Sequence, residues 1–403
     1  MATLAAEAFV PDLLNPDTFA DGPPHQIFDR LRREDPIYGQ PNQLNGGIAW
    51  SLTRFNDIRA ISTDTARFTV TEGMHYPTPT EYAKSITGNI MYSDAPQHTR
   101  LRSFAMKAFS PVVVGRFSDW IRELCVKIVD NVQGQDRLDM IPAIAAELPA
   151  QVIASIMGVP DHERHLIVEW ATGVFGRLEP EIGMERAIAA VGAVREYALE
   201  LRDRKRREPG VDMATELLDA SFGGQPITEG EYREMVMSLV LAGFETTHTL
   251  IAQSLVLMAR DEDVRRQVET APAEQLGQVV EELLRFVSPV NHMSRTATVD
   301  FEFGGRQIAK GDRMIMWYTA GNRDPEQFED PHRFIGTRGR RNHLAFGAGP
   351  HFCLGNHLAR LEGEILLDEI RKRGLRLELD GKPERARGIF INALRKVPMR
   401  VIR

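Results

Sequence analysis

Cys353 stands in the run Phe346-Gly347-Ala348-Gly349-Pro350-His351-Phe352-Cys353-Leu354-Gly355, just ahead of a helix-like stretch over 356–373. Glycines on both sides let the backbone turn sharply and come close to a flat ligand. The free N–H groups opening the next helix present positive dipole to the sulfur and favour its thiolate. A thiolate is a soft, electron-donating ligand for a transition metal. Zinc is the other metal to consider, with His343, His351 or His357 as partners. A structural zinc site takes four Cys/His ligands at paired spacings. This chain has only Cys125 and Cys353, so zinc is disfavoured.

A second reactive group is Ala242-Gly243-Phe244-Glu245-Thr246-Thr247, in the middle of the longest helical pattern. That pattern opens on a capping box, Thr228-x-x-Glu231, and its apolar periodicity runs to about Met258. Some thirty residues span about 45 Å, enough to cross the molecule. Glycine, two threonines and a glutamate are costly at the centre of a buried helix. A threonine hydroxyl can bond the carbonyl one turn back and bend the helix, opening a groove for a ligand. Taken alone, the same residues also fit a polar notch that relieves a packing defect.

Cationic groups recur in three places: His98 and Arg102, one turn apart; Arg295, opening a strand; and His351, two residues before the cysteine. Arg100, between the first two, is expected to face solvent. Glu282 and Arg285 form an i, i+3 pair, worth only tenths of a kcal/mol on a surface.

The elements that must carry these side chains are mainly helical. Trp120, Ile121, Leu124, Cys125, Ile128 and Val129 follow one helical stripe, which makes Cys125 a core residue. Strand-like stretches lie at 48–53, 296–303, 313–318, 375–379 and 398–402, with Gly304-Gly305 as a hairpin signal. Across 403 residues, 43% are hydrophobic and 26% charged, an ordinary globular balance. A net charge of −7 argues against nucleic-acid binding. Two cysteines build no disulfide framework, which fits a reducing cytoplasm. The first residues lack the basic region of a signal peptide. The longest apolar run, near 235–244, falls short of the eighteen or so residues that span a bilayer, so no membrane association is expected.

With its spacing F-G-x-G-x-H-x-C-x-G, the cysteine run resembles the haem-binding loop of the cytochrome P-450 family. The stretches at 94–102, 242–247 and 282–285 resemble further motifs of that family, in its order. The likeness covers nearly the whole chain, from Trp50-Ser51-Leu52-Thr53-Arg54-Phe55 to the C-terminal hairpin, and is to the soluble bacterial type. It implies a mainly α, single-domain triangular fold over 1–403 with small β-sheets. Haem would lie between the long helix around Glu245 (the family's I helix) and the helix after Cys353 (its L helix).

The resemblance also assigns roles. Cys353 would ligate the iron of haem b, while His98, Arg102, Arg295 and His351 would hold its propionates. Gly347, Ala242 and Gly243 would lie against the cofactor. Glu245 and Thr246 would be the acid–alcohol pair that delivers protons during oxygen activation. Glu282 and Arg285 would brace the meander around Asp324-Pro325-Glu326-Gln327-Phe328. The implied activity is insertion of one oxygen atom of O2 into a C–H bond. Electrons would come ultimately from NAD(P)H through a separate ferredoxin and ferredoxin reductase, to a monomeric enzyme.

By family position the substrate walls hold Phe175, Met184, Leu241, Phe244, Val290, Met293, Ile389 and Phe390, with no obvious carboxylate-binding arginine. Apolar linings favour apolar ligands, and Met316-Trp317-Tyr318-Thr319-Ala320-Gly321-Asn322 is most like relatives acting on terpenoids and steroids. Asn291 and His292 are placed to hydrogen-bond a substrate oxygen. Arg338, Arg340 and Arg341, with Lys107 and Arg360, would form a cationic face for an acidic ferredoxin. Two rival functions share Cys353: a peroxide-driven haem peroxygenase, which needs no acid–alcohol pair, and a non-catalytic haem sensor or carrier.

Overall fold

The computed structural model describes residues 9–339 and 342–402; Arg340 and Arg341 lie outside them. The N-terminal third holds β1 (Ile37–Pro41), β2 (Ile48–Leu52), β3 (Phe68–Thr69), α1 (Gln97–Met106), α2 (Ser118–Gln133) and β4 (Arg137–Asp139). The helical middle holds α3 (Glu147–Met157), α4 (His165–Phe175), α5 (Gly183–Arg207), α6 (Glu229–Arg260) and α7 (Leu276–Val287). Then come β5 (His292–Ala297), β6 (Phe301–Phe303), β7 (Arg306–Ile308) and β8 (Arg313–Trp317). The chain closes with α8 (Asn356–Lys372), β9 (Arg376–Leu379), β10 (Glu384–Arg385), β11 (Leu394–Lys396) and β12 (Pro398–Ile402).

The main sheet has the strand order β1-β2-β8-β5-β3. Its central strand β8 is buried at every residue, pairing parallel to β2 and antiparallel to β5. A small sheet β9-β12-β4 ties the C-terminus to the segment after α2. Gly304 and Gly305, both at positive φ, close the β6–β7 hairpin that the sequence signals.

Helix α6 is the axis of the helical half. The Thr228 side chain accepts from Glu231 N–H, and the Glu231 carboxylate accepts from Thr228 N–H, so the capping box forms. Arg100 pairs with Glu231 and donates to the Pro226 carbonyl at 2.8 Å. Its side chain is 15% exposed, which corrects the expectation that Arg100 faces solvent. The physical reason is that Glu231, already half spent on the cap, needs a cation once covered.

α6 runs two residues past Met258, and Asp261 then caps the next helix through the N–H groups of Asp263 and Val264. By length and mean hydropathy (1.4) α6 could cross a membrane, contrary to the reading of its apolar runs. Within the protein 78% of that window is buried, because α3, α4, α5 and α8 all pack against it. Cys125 lies wholly inside the core between α2 and α8, where burial pushes its thiol pKa up.

Candidate active site

The cysteine loop is held from three directions. Asn322 Oδ1 accepts from Leu344 N–H at 2.6 Å, Cys353 N–H donates to the Phe346 carbonyl at 3.0 Å, and Asn356 Nδ2 donates to the Cys353 carbonyl at 2.8 Å. Gly349, at φ +74°, runs so close to the last turn of the helix Phe55–Thr63 that a Cβ would stand 2.4 Å from the Ser62 carbonyl oxygen. Gly347, at φ +70°, packs on the Tyr318 hydroxyl, so its role in the structure is to let the loop turn.

Burial pushes the Cys353 thiol pKa up, while the Gly355 N–H and the charges of Arg102 and Arg360 oppose it. The helix-terminus effect expected from sequence is present but outweighed. A bound metal cation removes the conflict, since a coordinating thiol is deprotonated outright.

Beside that sulfur stands a group of bases without acids. The rings of His98 and His351 lie 4.0 Å apart. His351 is held down to a pKa of about 2, first by burial and then by Arg295, His98 and Arg102. Arg295 is buried and donates only to its neighbour's carbonyl, Ser294 O, at 2.8 Å. His98 Nε2 is buried with no partner, and Asp94, the nearest acid, is engaged by Thr69 and the Val70 N–H. Among the described residues no carboxylate pairs with Arg102, Arg295 or either imidazole. Buried cations without counter-charge call for an anionic ligand. A thiolate donor flanked by cations for two carboxylates fits haem.

On the other side, Thr246 Oγ1 donates to the Ala242 carbonyl at 2.7 Å, the bond one turn back that the sequence anticipates. Ala242 and Thr246 share a partly open face of an otherwise buried helix. At Gly243 a Cβ would meet Ile153 at 2.9 Å, so its bareness lets α3 approach α6. Glu245 is buried, 3.9 Å from Nδ1 of His248, whose two ring nitrogens have no hydrogen-bond partner.

Glu245 and His248 both face a cavity of about 180 Å³ lined by Phe175, Phe244, Ile389 and Phe390 among others. Leu241, Val290 and Met293 pack around that cavity instead of lining it; Val290 bridges to Ile391 in its wall. Met184 is corrected outright, being 56% exposed at the start of α5. His292 is corrected as well: Nδ1–H donates to the Ile389 carbonyl and Nε2 accepts from the Tyr76 N–H, at 3.1 Å each, and burial holds its pKa near about 3. Asn291 is buried, its side-chain amide donating to the Ile389 carbonyl at 3.1 Å.

The cavity wall does contain an arginine, Arg177, which the pocket reading passed over. It was visible as the one cation in the stretch 174–184. His248 gave no such signal, because a lone histidine on an apolar helix is usually a satisfied core residue.

Glu282 and Arg285 are nearly inaccessible, and Nε and Nη2 along one guanidinium edge donate to the two carboxylate oxygens at 2.8 Å each. Arg285 also donates to the carbonyls of Asn322, Pro331 and Arg333, which bracket the meander. The proximal patch is corrected by Arg338, whose side chain is 8% exposed and turned inward onto Glu282 at 3.1 Å. Arg360 is bound to Glu281, whose other oxygen meets His343 at 3.1 Å. Lys107 alone of the described patch residues faces solvent freely.

The cytochrome P-450 family model matches residues 181–373. Linalool 8-monooxygenase of Pseudomonas putida is 32% identical over 398 residues, covering 96% of this chain and 98% of that protein. Steroid C26-monooxygenase of Rhodococcus jostii is 30% identical, covering 96% of this chain and 83% of its own length. A Mycobacterium marinum cytochrome P-450 solved in complex with pseudoionone superposes with a TM-score of 0.90 at 26% identity, covering 99% of this chain and 100% of that one. The chain belongs to the cytochrome P-450 family and is an oxidoreductase of the monooxygenase kind, working with haem iron, O2 and reducing equivalents.

Proposed function

We propose that this protein is a haem b monooxygenase that hydroxylates an apolar small molecule of terpenoid, steroid or similar kind. Its domain spans 1–403 and works in the cytoplasm, without membrane or nucleic acid. Electrons pass from NAD(P)H through a ferredoxin reductase and a ferredoxin. The observation that carries the reading is the cavity in which Glu245 stands among Phe175, Phe244, Ile389 and Phe390. Relatives named for linalool and steroid oxidation support the substrate class.

Cys353 would hold the iron, and Arg102, Arg295, His98 and His351 the propionates. The bound group supplies the redox chemistry that activates O2. What this chain's residues add is orientation and protons. The aromatic and aliphatic walls hold the substrate by burial and keep bulk water away. The Thr246 hydroxyl, parked on the Ala242 carbonyl, is free to turn and donate into the groove it opens. Glu245, buried at the edge of the cavity, carries a proton inward from it and hands it toward Thr246.

The test is turnover under 18O2 with NADPH, ferredoxin reductase and ferredoxin on a terpene and steroid panel. One labelled oxygen in the product is expected. Oxidation supported by hydrogen peroxide alone would favour the peroxygenase reading. Tight binding of an apolar ligand with no oxidation under electron supply would favour a sensor or carrier.

A further inference from the structure

Arg177 is the charge in the cavity wall that nothing neutralises. Four other charged side chains of the wall are accounted for or acidic. Arg395 pairs with Glu179 at 2.8 Å, Arg387 pairs with Asp17 at 2.9 Å, and Glu179 also accepts from the Arg387 N–H at 2.7 Å. Glu245 has only His248 nearby, at 3.9 Å, and no ion pair joins it to Arg177. Among the described residues, Arg177 makes one hydrogen bond, to the Pro77 carbonyl at 3.3 Å. That leaves most of a five-donor guanidinium fork unused.

The groups around Arg177 from other elements cannot supply a negative charge. His75, half-buried, and His292, buried, are kept neutral, first by desolvation and in part by Arg177 itself. Tyr92 keeps its proton, its pKa pushed up to about 12 by burial, and Tyr82 is an exposed phenol. A half-buried arginine in a cavity wall, with neutral neighbours and open donors, is a site for a planar anion. Glu245, in the same wall, repels such an anion and so orients it.

We propose that the cavity takes a substrate with a carboxylate at one end of an apolar body, the carboxylate held by the Arg177 guanidinium. This rests on the monooxygenase reading and narrows its substrate class. The apolar body lies along Phe175, Phe244, Ile389 and Phe390, and repulsion by Glu245 keeps the acid end away from Thr246. Oxidation therefore falls on carbons distant from the carboxylate.

The experiment compares geranic, farnesoic and dodecanoic acids with their methyl esters, using calorimetric affinity on the haem-loaded enzyme and product analysis after turnover. Methylation removes the charge and leaves the body. A hydrogen bond to a charged group sets the scale, so the acid of a binding pair should be favoured roughly tenfold or more. Arg177→Leu should bring the acid-to-ester ratio near unity, and Arg177→Lys should leave it intermediate, because lysine keeps the charge without the fork. Should Arg177→Leu fail to take up haem, Arg177→Gln and Arg177→Lys carry the comparison.

Equal binding of acids and esters by the wild type, or a ratio that survives in Arg177→Leu, overturns the proposal. If esters are then still bound and oxidised, the monooxygenase reading stands without it. If no member of the panel is bound or oxidised, both readings fall.

Discussion

Glu362 lies in α8 with its Oε2 buried and without a partner, and burial alone pushes its pKa up to about 8. Between its ordinary range and that value the folded protein holds a proton that the unfolded chain has released. Stability therefore falls as pH rises through this window. Urea unfolding at pH 5 and pH 8 should show a smaller loss in Glu362→Gln than in the wild type; an equal loss in both would show that Glu362 is ionised in the fold. At the same scale, Thr246→Ala should keep substrate affinity and NAD(P)H consumption while product falls and hydrogen peroxide rises. Full product yield per electron pair in that variant would remove Thr246 from proton delivery. Arg285→Ala should cost about 3–5 kcal/mol, the range for stranding a buried charge, seen as a lower Tm and poor haem retention. The pair Glu282–Arg285 was legible as spacing, yet spacing gives a surface value of tenths; only burial by the meander raises it.

Helix α6 and the cysteine loop were the most legible elements, because capping chemistry and glycine spacing are local signals. Thr228 and Glu231 form the box that their spacing predicts, and the loop folds where Gly347 and Gly349 allow positive φ. Side chains whose partners come from distant segments were not legible. Arg100 looked free because Glu231 is 131 positions away, and His292 looked available because its two backbone partners belong to Tyr76 and Ile389. Gly349→Ala tests the loop: strain at φ +74° plus contact with the Ser62 carbonyl should lower haem incorporation, measured as haem per protein. Gly183→Ala has a similar φ but open space around it, and should retain haem far better. Similar loss in both would mean that φ alone, not the close approach, governs the loop.

At the scale of the whole molecule, the fold bundles helices over α6 and brings the cysteine loop, the cation cluster and the cavity wall together from far-separated segments. The same packing turns Arg338 inward, so its charge stabilises Glu282 and is not offered to a partner. Arg338→Ala should accordingly lower Tm and haem retention, while the ionic-strength dependence of ferredoxin-supported reduction stays as in the wild type. A changed salt dependence with unchanged Tm would restore Arg338 to a docking face.

The central claim is that Cys353 supplies a thiolate to haem iron in this fold. The difference spectrum of the reduced protein with carbon monoxide reads that bond directly. The wild type should show the strongly red-shifted Soret band of a thiolate-ligated haem, and Cys353→His, still binding haem, should lose the shift. A wild-type spectrum without the shift, or a Cys353→His variant that keeps it, would contradict the account.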